Sequence, residues 1–236
     1  MQRDKIHGRT SVRLNFSADN IFAMIKEHVE RVRTALSDLC EPLHDTFAWA
    51  EQTRLEKFPE LEGDDLYRWF ATHTIRALAH YKLREATPGT LGSWILSGNH
   101  AQNGALWLTD GSYRLRLLHA HVDDHIPPPG TNGARKAYYS NPSLPPQMPI
   151  EGEANDRLLG IWLIHPESKA PTFRIVRTIG AWKYGEKAKA DLDFVLPETA
   201  EELSELEFLP TDEGLDLWMP DAGEEEGGDD APGLSG

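Results

Sequence analysis

The densest chemistry in the chain is the string His119-Ala120-His121-Val122-Asp123-Asp124-His125. Neutral imidazole and carboxylate are good ligands for zinc or manganese. His119 and His121 are two apart at a strand end, so both point to one side and both can reach one cation. His119, His121, Asp123 and His125 are therefore the candidate metal ligands. A divalent metal held there would serve a hydrolase or a nuclease.

Other groupings carry less. His73 and His80 lie seven apart on one helical face, with Arg76 between them. Cys40 and His44 are one helical turn apart, the spacing of a nucleophile and its base, yet a cysteine beside Leu39 and Leu43 suits a core. No Gly-x-Ser-x-Gly elbow and no Walker-type phosphate loop is present. Arg114 and Arg116 share one strand face, while Arg174 and Arg177 sit at different parity on a later strand. Arg135, Lys136, Tyr138 and Tyr139 fall in a long loop. Gathered in space, these cations would hold a phosphate, a nucleic-acid strand or the chain's own acidic end. The preferred reading is plainer: cross-strand pairing, for instance with Asp191 and Asp193.

The histidine string resembles the His-x-His-x-Asp-His motif of the metallo-β-lactamase fold, with one residue inserted between Asp123 and His125. In that family the motif opens a helix and further His and Asp ligands follow. Here Ile126-Pro127-Pro128-Pro129 follows at once, and His165 is the one later histidine. The resemblance spans seven residues and implies metal-dependent hydrolysis.

Charge narrows the classes. The chain has 24 Lys and Arg against 38 Asp and Glu, a net charge of −14. The last basic residue is Lys189, and residues 197–236 hold 14 of the acids, so the preceding body is formally neutral. A neutral body lacks the broad basic face that nucleic-acid backbones require. Leu215, Leu217 and Trp218 stand among the acids as apolar anchors, which points to contact with a basic surface, on a partner or on the body itself. The single cysteine excludes a disulfide framework and a Cys-rich zinc module. No run reaches the roughly 18 apolar residues of a membrane helix, so no membrane partner is expected. Arg3, Lys5, Arg9 and Arg13 precede no apolar stretch; no secretory signal is read, and the cytoplasm is the expected compartment.

These side chains must be positioned by the elements around them. Val12, Leu14 and Phe16 alternate as in a short strand. Apolar residues then recur in steps of three and four from Ile21 to Ala50, a helix in which Pro42 forces a kink or a restart. A second helix starts after Asp64-Asp65, its apolar face drawn from Leu66, Trp69, Phe70, Ile75, Leu78 and Leu83. Beyond Gly104 the period changes to two. Residues 105–109 and 112–119 read as a hairpin turned by Asp110-Gly111 in a type I′ turn. Strands return at Leu159–His165, Thr172–Ile179 and Asp191–Leu196 after the Pro- and Gly-rich segment 126–149.

The sum is an α+β protein: N-terminal helices packed on a mainly antiparallel sheet, with an acidic C-terminal tail. Residues 1–11 are expected to be flexible. One domain covers 12–196, helical over 17–88 and mainly β over 91–196. An acidic segment, 197–220, is placed to dock, and 221–236 are expected to be disordered. The leading function is a non-catalytic interaction or regulatory protein. It would bind a protein partner, with a basic surface, through the sheet face, loop 126–149 and the tail; Arg135, Lys136, Tyr138, Tyr139, Leu215, Leu217 and Trp218 are the candidate contacts. No cofactor is expected on that reading. The alternative is the metal-dependent hydrolase or nuclease at His119, His121, Asp123 and His125.

Overall fold

The computed structural model describes residues 18–101, 104–120, 126–142, 156–183 and 186–207. The expected strand at Val12–Phe16 lies outside them, as do His121, Asp123 and His125, residues 143–149 of the long loop, and Leu215, Leu217 and Trp218 of the tail.

The first apolar stripe forms two helices, α1 (Ala18–Leu36) and α2 (Cys40–Lys57), joined by a 3-10 turn at Ser37–Leu39. Pro42 sits in the first turn of α2, where its missing N–H has no helical acceptor to lose, so the helix restarts rather than kinks. The buried positions Val29, Val32, Leu36, Leu39, Leu43, Phe47 and Ala50 run through the break without losing their spacing. After a 3-10 turn whose cap, Asp64, accepts from the Leu66 amide at 2.9 Å, α3 runs from Arg68 to Arg84.

That helix departs from expectation at its start. Its buried stripe is Ile75, Ala79 and Leu83, whereas Leu66 is 76% and Trp69 62% exposed. Trp69 precedes Ile75 by six residues, which turns it about 120° from Ile75 and about 80° from Ala79 at the centre of the stripe.

Six strands follow: β1 (Ile95–Ser97), β2 (Leu106–Thr109), β3 (Tyr113–His119), β4 (Asp156–Ile164), β5 (Pro171–Ile179) and β6 (Lys189–Leu196). They lie side by side in sequence order. Every neighbouring pair is antiparallel except β3 and β4, which run parallel. A parallel neighbour needs a long crossover. The Pro- and Gly-rich excursion belongs to that crossover and carries α4 (Gly133–Tyr139), capped by Asn132.

The β2–β3 hairpin forms, but not through the expected turn. A type I′ turn needs positive φ at both central residues. Gly111 has φ 95°, while among the described residues the sole non-glycine with positive φ is Lys169. The Asp110 carboxylate instead accepts from the amides of Ser112 at 2.8 Å and Tyr113 at 2.6 Å, and the turn centres one residue later.

Alternation divides the sheet into two faces. One face packs Leu106, Leu108, Leu115, Leu117, Trp162 and Phe173 against the helices. Phe47 of α2 meets Trp162 and Phe173, each with ring centroids 5.0 Å apart. The other face carries Trp107, Leu159, Ile161 and Val176 and is covered at one end by α4. β4 is buried on both faces, which accounts for its unbroken apolar run from Leu158 to Trp162 around Gly160. The acidic segment begins with α5 (Ala200–Glu205), held by a Thr199–Glu202 capping box. Its Leu203 is buried, and Arg33 of α1 donates to the Leu203 carbonyl at 2.7 Å.

Candidate functional site

The face away from the three long helices gathers most of the described candidate residues. Tyr138 and Tyr139 of α4 are buried there rather than presented to a partner. The Tyr138 hydroxyl bridges the carbonyls of Arg114 (2.6 Å) and Leu158 (2.9 Å), while the Tyr139 hydroxyl donates to the Pro127 carbonyl at 2.5 Å. Burial pushes the Tyr138 phenol well above its ordinary pKa, and that of Tyr139 up to about 12. The Tyr138 hydroxyl therefore fastens α4 to β3 and β4, and the Tyr139 hydroxyl ties it to the loop that precedes it. Arg135 stays exposed on α4, and Lys136 lies 5.7 Å from the Trp182 ring centroid.

The two arginine pairs behave differently. Arg174 pairs with Asp193, and fully buried Arg177 pairs with Asp191 and, at 2.9 Å, with Asp156. That is the cross-strand pairing expected from sequence. Arg114 and Arg116 have no carboxylate partner among the described residues. Their guanidinium groups stand 5.4 and 5.0 Å from the centroid of Trp107, whose ring is edge-on to Tyr138. Arg114 is exposed, but Arg116 is only 9% exposed. Burial lowers the Arg116 pKa from its ordinary value, the charge of Arg135 lowers it further, and that of Arg76 adds to the effect, against an opposing pull from Tyr139 and Tyr138. The Nε of Arg76 is itself buried without a hydrogen bond. Sequence shows the parity of Arg114 and Arg116. It gives no sign that Trp107 from β2 lies against both of them.

Beyond α4 the same face opens into a trough of about 530 Å³. Ala120, Ile161, Leu163, Thr172 and Val195 line it, with the Arg174–Asp193 ion pair beside them. Val195 is 63% exposed although it is a β-branched residue on a strand.

The remaining candidates are placed as follows. His119 packs its ring on Trp162, 4.6 Å between centroids, at the end of β3. No group of three His, Cys, Asp or Glu side chains with metal-binding geometry occurs among the described residues. Buried Cys40 donates to the Leu36 carbonyl, and burial, with Glu41 nearby, pushes its thiol up to about 12. Such a thiol is no nucleophile. His44 donates to the Leu196 carbonyl at 3.1 Å, tying α2 to β6. His73 lies edge-on to Trp69, 6.2 Å between centroids. His80 is stacked at 3.8 Å on His100, and its pKa is lowered by burial, then by His100 and Arg84.

A buried polar network went unread in the sequence because five elements supply it. His28 of α1 faces Asp156 at 3.7 Å, Asp156 pairs with Arg177, and Arg177 pairs with Asp191. Tyr113 of β3 lies close enough for Asp156 to help raise its pKa, after burial. No helix among the described residues is long and apolar enough to cross a membrane. No protein-family model matches the chain, and neither a curated protein nor a solved structure shows significant similarity to it.

Proposed function

We propose that the chain is a non-catalytic interaction protein, regulatory in kind and cytoplasmic, that seats a protein partner on the trough face of its sheet. The observation that carries this reading is the trough, where Val195 stands exposed beside half-buried Leu163, flanked by the Arg174–Asp193 pair. Contiguous apolar surface rimmed by polar groups is the usual mark of an interaction site. The partner that fits presents an apolar segment to Ile161, Leu163 and Val195, with a charge of each sign to meet the ion pair. Beside that segment it carries a basic surface for the acidic tail, where Leu215, Leu217 and Trp218 supply the anchors. The competing reading, metal-dependent hydrolysis at His119, His121, Asp123 and His125, has one described residue, and that residue packs on Trp162.

The test is site-specific photo-crosslinking in cells that make the full chain. A benzophenone side chain at position 195 is expected to give one discrete adduct, absent when the same group replaces exposed Glu60 and lost on Leu163→Glu. Equal labelling from both positions, or none from 195, would sink the proposal.

A further inference from the structure

One hydroxyl inside the sheet has nothing to bond. Thr178 of β5 is 1% exposed, and its Oγ1 has no hydrogen-bond partner among the described residues. A buried hydroxyl left unpaired is unfavourable, so such a group calls for a water or a ligand. Thr178 lies directly opposite Ala190 of β6, and Ala190 packs into the cluster under α4, so both side chains stand on that face of the sheet. There Thr178 lines a cleft of about 20 Å³ between Tyr139 of α4 and the β5–β6 turn. On that scale a single water needs about 10–15 Å³, so the cleft admits one oxygen-sized group and little more.

The rim of the cleft is cationic. Lys183, Lys187 and Lys189 line it together with half-buried Trp182. Lys136 of α4 stands 5.7 Å from the centroid of the Trp182 ring, and the indole N–H donates to the Glu186 carbonyl at 3.1 Å. Glu186 is the one carboxylate in the lining among the described residues, and it stands 3.8 Å from Lys183. Lys136, Lys187 and Lys189 have no carboxylate partner among the described residues.

We infer that this cleft binds a phosphoryl group, as free phosphate or as the terminal group of a phosphomonoester. One oxygen enters the cleft and accepts from the Thr178 hydroxyl. The other oxygens stay at the rim, where the lysine ammonium groups meet them as point charges on flexible stems. A carboxylate has one charge and two oxygens in a plane. A phosphoryl dianion has three or four oxygens in a tetrahedron, so it answers a buried hydroxyl and several ammonium groups at once. The cleft shares no residue with the trough, and the inference does not rest on the function proposed for the trough.

The experiment is calorimetric titration of the full chain with inorganic phosphate at fixed ionic strength, with acetate as the control anion, together with thermal unfolding. Wild-type protein is expected to bind phosphate saturably and to unfold at a higher temperature when it is bound. Acetate binding of equal strength would mark a general attraction to anions and overturn the inference. Thr178→Val keeps the side-chain shape and removes the hydroxyl. It is expected to weaken phosphate binding at least about tenfold and, in phosphate-free buffer, to unfold at the wild-type temperature or above it. Unchanged phosphate affinity in this variant would mean that water alone serves the hydroxyl, and the inference falls. The double variant Lys187→Gln, Lys189→Gln changes two exposed positions and gives an independent reading. Weaker binding at unchanged stability is expected, and unchanged binding counts against the site. Phenyl phosphate separates the sources. Binding as tight as that of inorganic phosphate identifies a monoester site, and binding of inorganic phosphate alone identifies a free-ion site. Absence of saturable binding of either ligand by the wild type refutes the inference outright.

Discussion

His28 is 4% exposed and is held by burial, the first cause, at a pKa of about 4, against an ordinary value of 6.5. Asp156 pulls it up, while Arg177 and Arg31 push it further down. At neutral pH the imidazole is uncharged in both the folded and the unfolded chain, so it adds no pH dependence there. As the pH falls through 6.5 the unfolded chain takes up a proton that the folded chain refuses until about pH 4. Stability is therefore expected to decline across that window, by on the order of 3 kcal/mol for this group. Urea unfolding at pH 7 and pH 4.5 measures it, and His28→Asn is expected to flatten the slope. A wild-type slope shared by the variant would assign the pH dependence to other groups. This network is also where the sequence is least legible at the residue scale. Asp191 and Asp193 read as partners for the β5 arginines because strand alternation brings such residues side by side. His28 lies more than 120 residues from Asp156 on an unrelated helix, and nothing local announces the contact.

At the scale of elements, periodicity carried most of what could be read. The steps of three and four placed α1, α2 and the buried half of α3, and the change to a period of two marked the sheet. The direction of pairing was not legible, since alternation looks the same in parallel and antiparallel strands. Length was the available signal: the segment joining β3 to β4 is far longer than any hairpin, and a parallel neighbour needs such a crossover. The type I′ expectation failed because the Asp110 carboxylate captures two amides itself, a local competition that strand patterns do not encode. Gly160 shows how closely the parallel strands pack. A Cβ built there would lie 2.5 Å from Leu117 Cδ2 and 3.2 Å from Leu115 Cδ1. Gly160→Ala is expected to destabilise the fold by about 1–3 kcal/mol through overpacking, despite the better strand propensity of alanine. Thermal or denaturant unfolding of the variant checks it, and an unchanged midpoint would mean that the two leucines give way freely.

For the whole molecule, the sheet is two sets of three strands. β1 to β3 pair antiparallel with one another, as do β4 to β6, and the sets meet along the parallel β3–β4 boundary. Each set offers one apolar face to the same helical layer, so neither has a complete core alone. Around that boundary stand Tyr138, bridging two carbonyls, and Asn141, whose amide donates to the carbonyls of Arg157 and Thr178 at 2.8 Å. Arg114 and Arg116 stand on the first set, against Trp107, whereas the trough draws mainly on the second.

The parallel boundary has a consequence for how the chain could be taken apart. Antiparallel hairpins tie their strands together through short turns, but across β3 and β4 the covalent link is a long detour, and the strands are held by backbone hydrogen bonds and side chains. The polypeptide should therefore tolerate a break in that detour. Separate expression of residues 1–148 and 149–236 would leave three strands and their apolar faces on each piece, with α5 still able to find Arg33 and Leu196 still able to find His44. Made together, the two pieces are expected to assemble into a one-to-one complex with the spectroscopic signature of the intact chain. Made apart, each is expected to remain unfolded or to aggregate. In engineering terms that outcome would make the molecule a split protein, cut between β3 and β4.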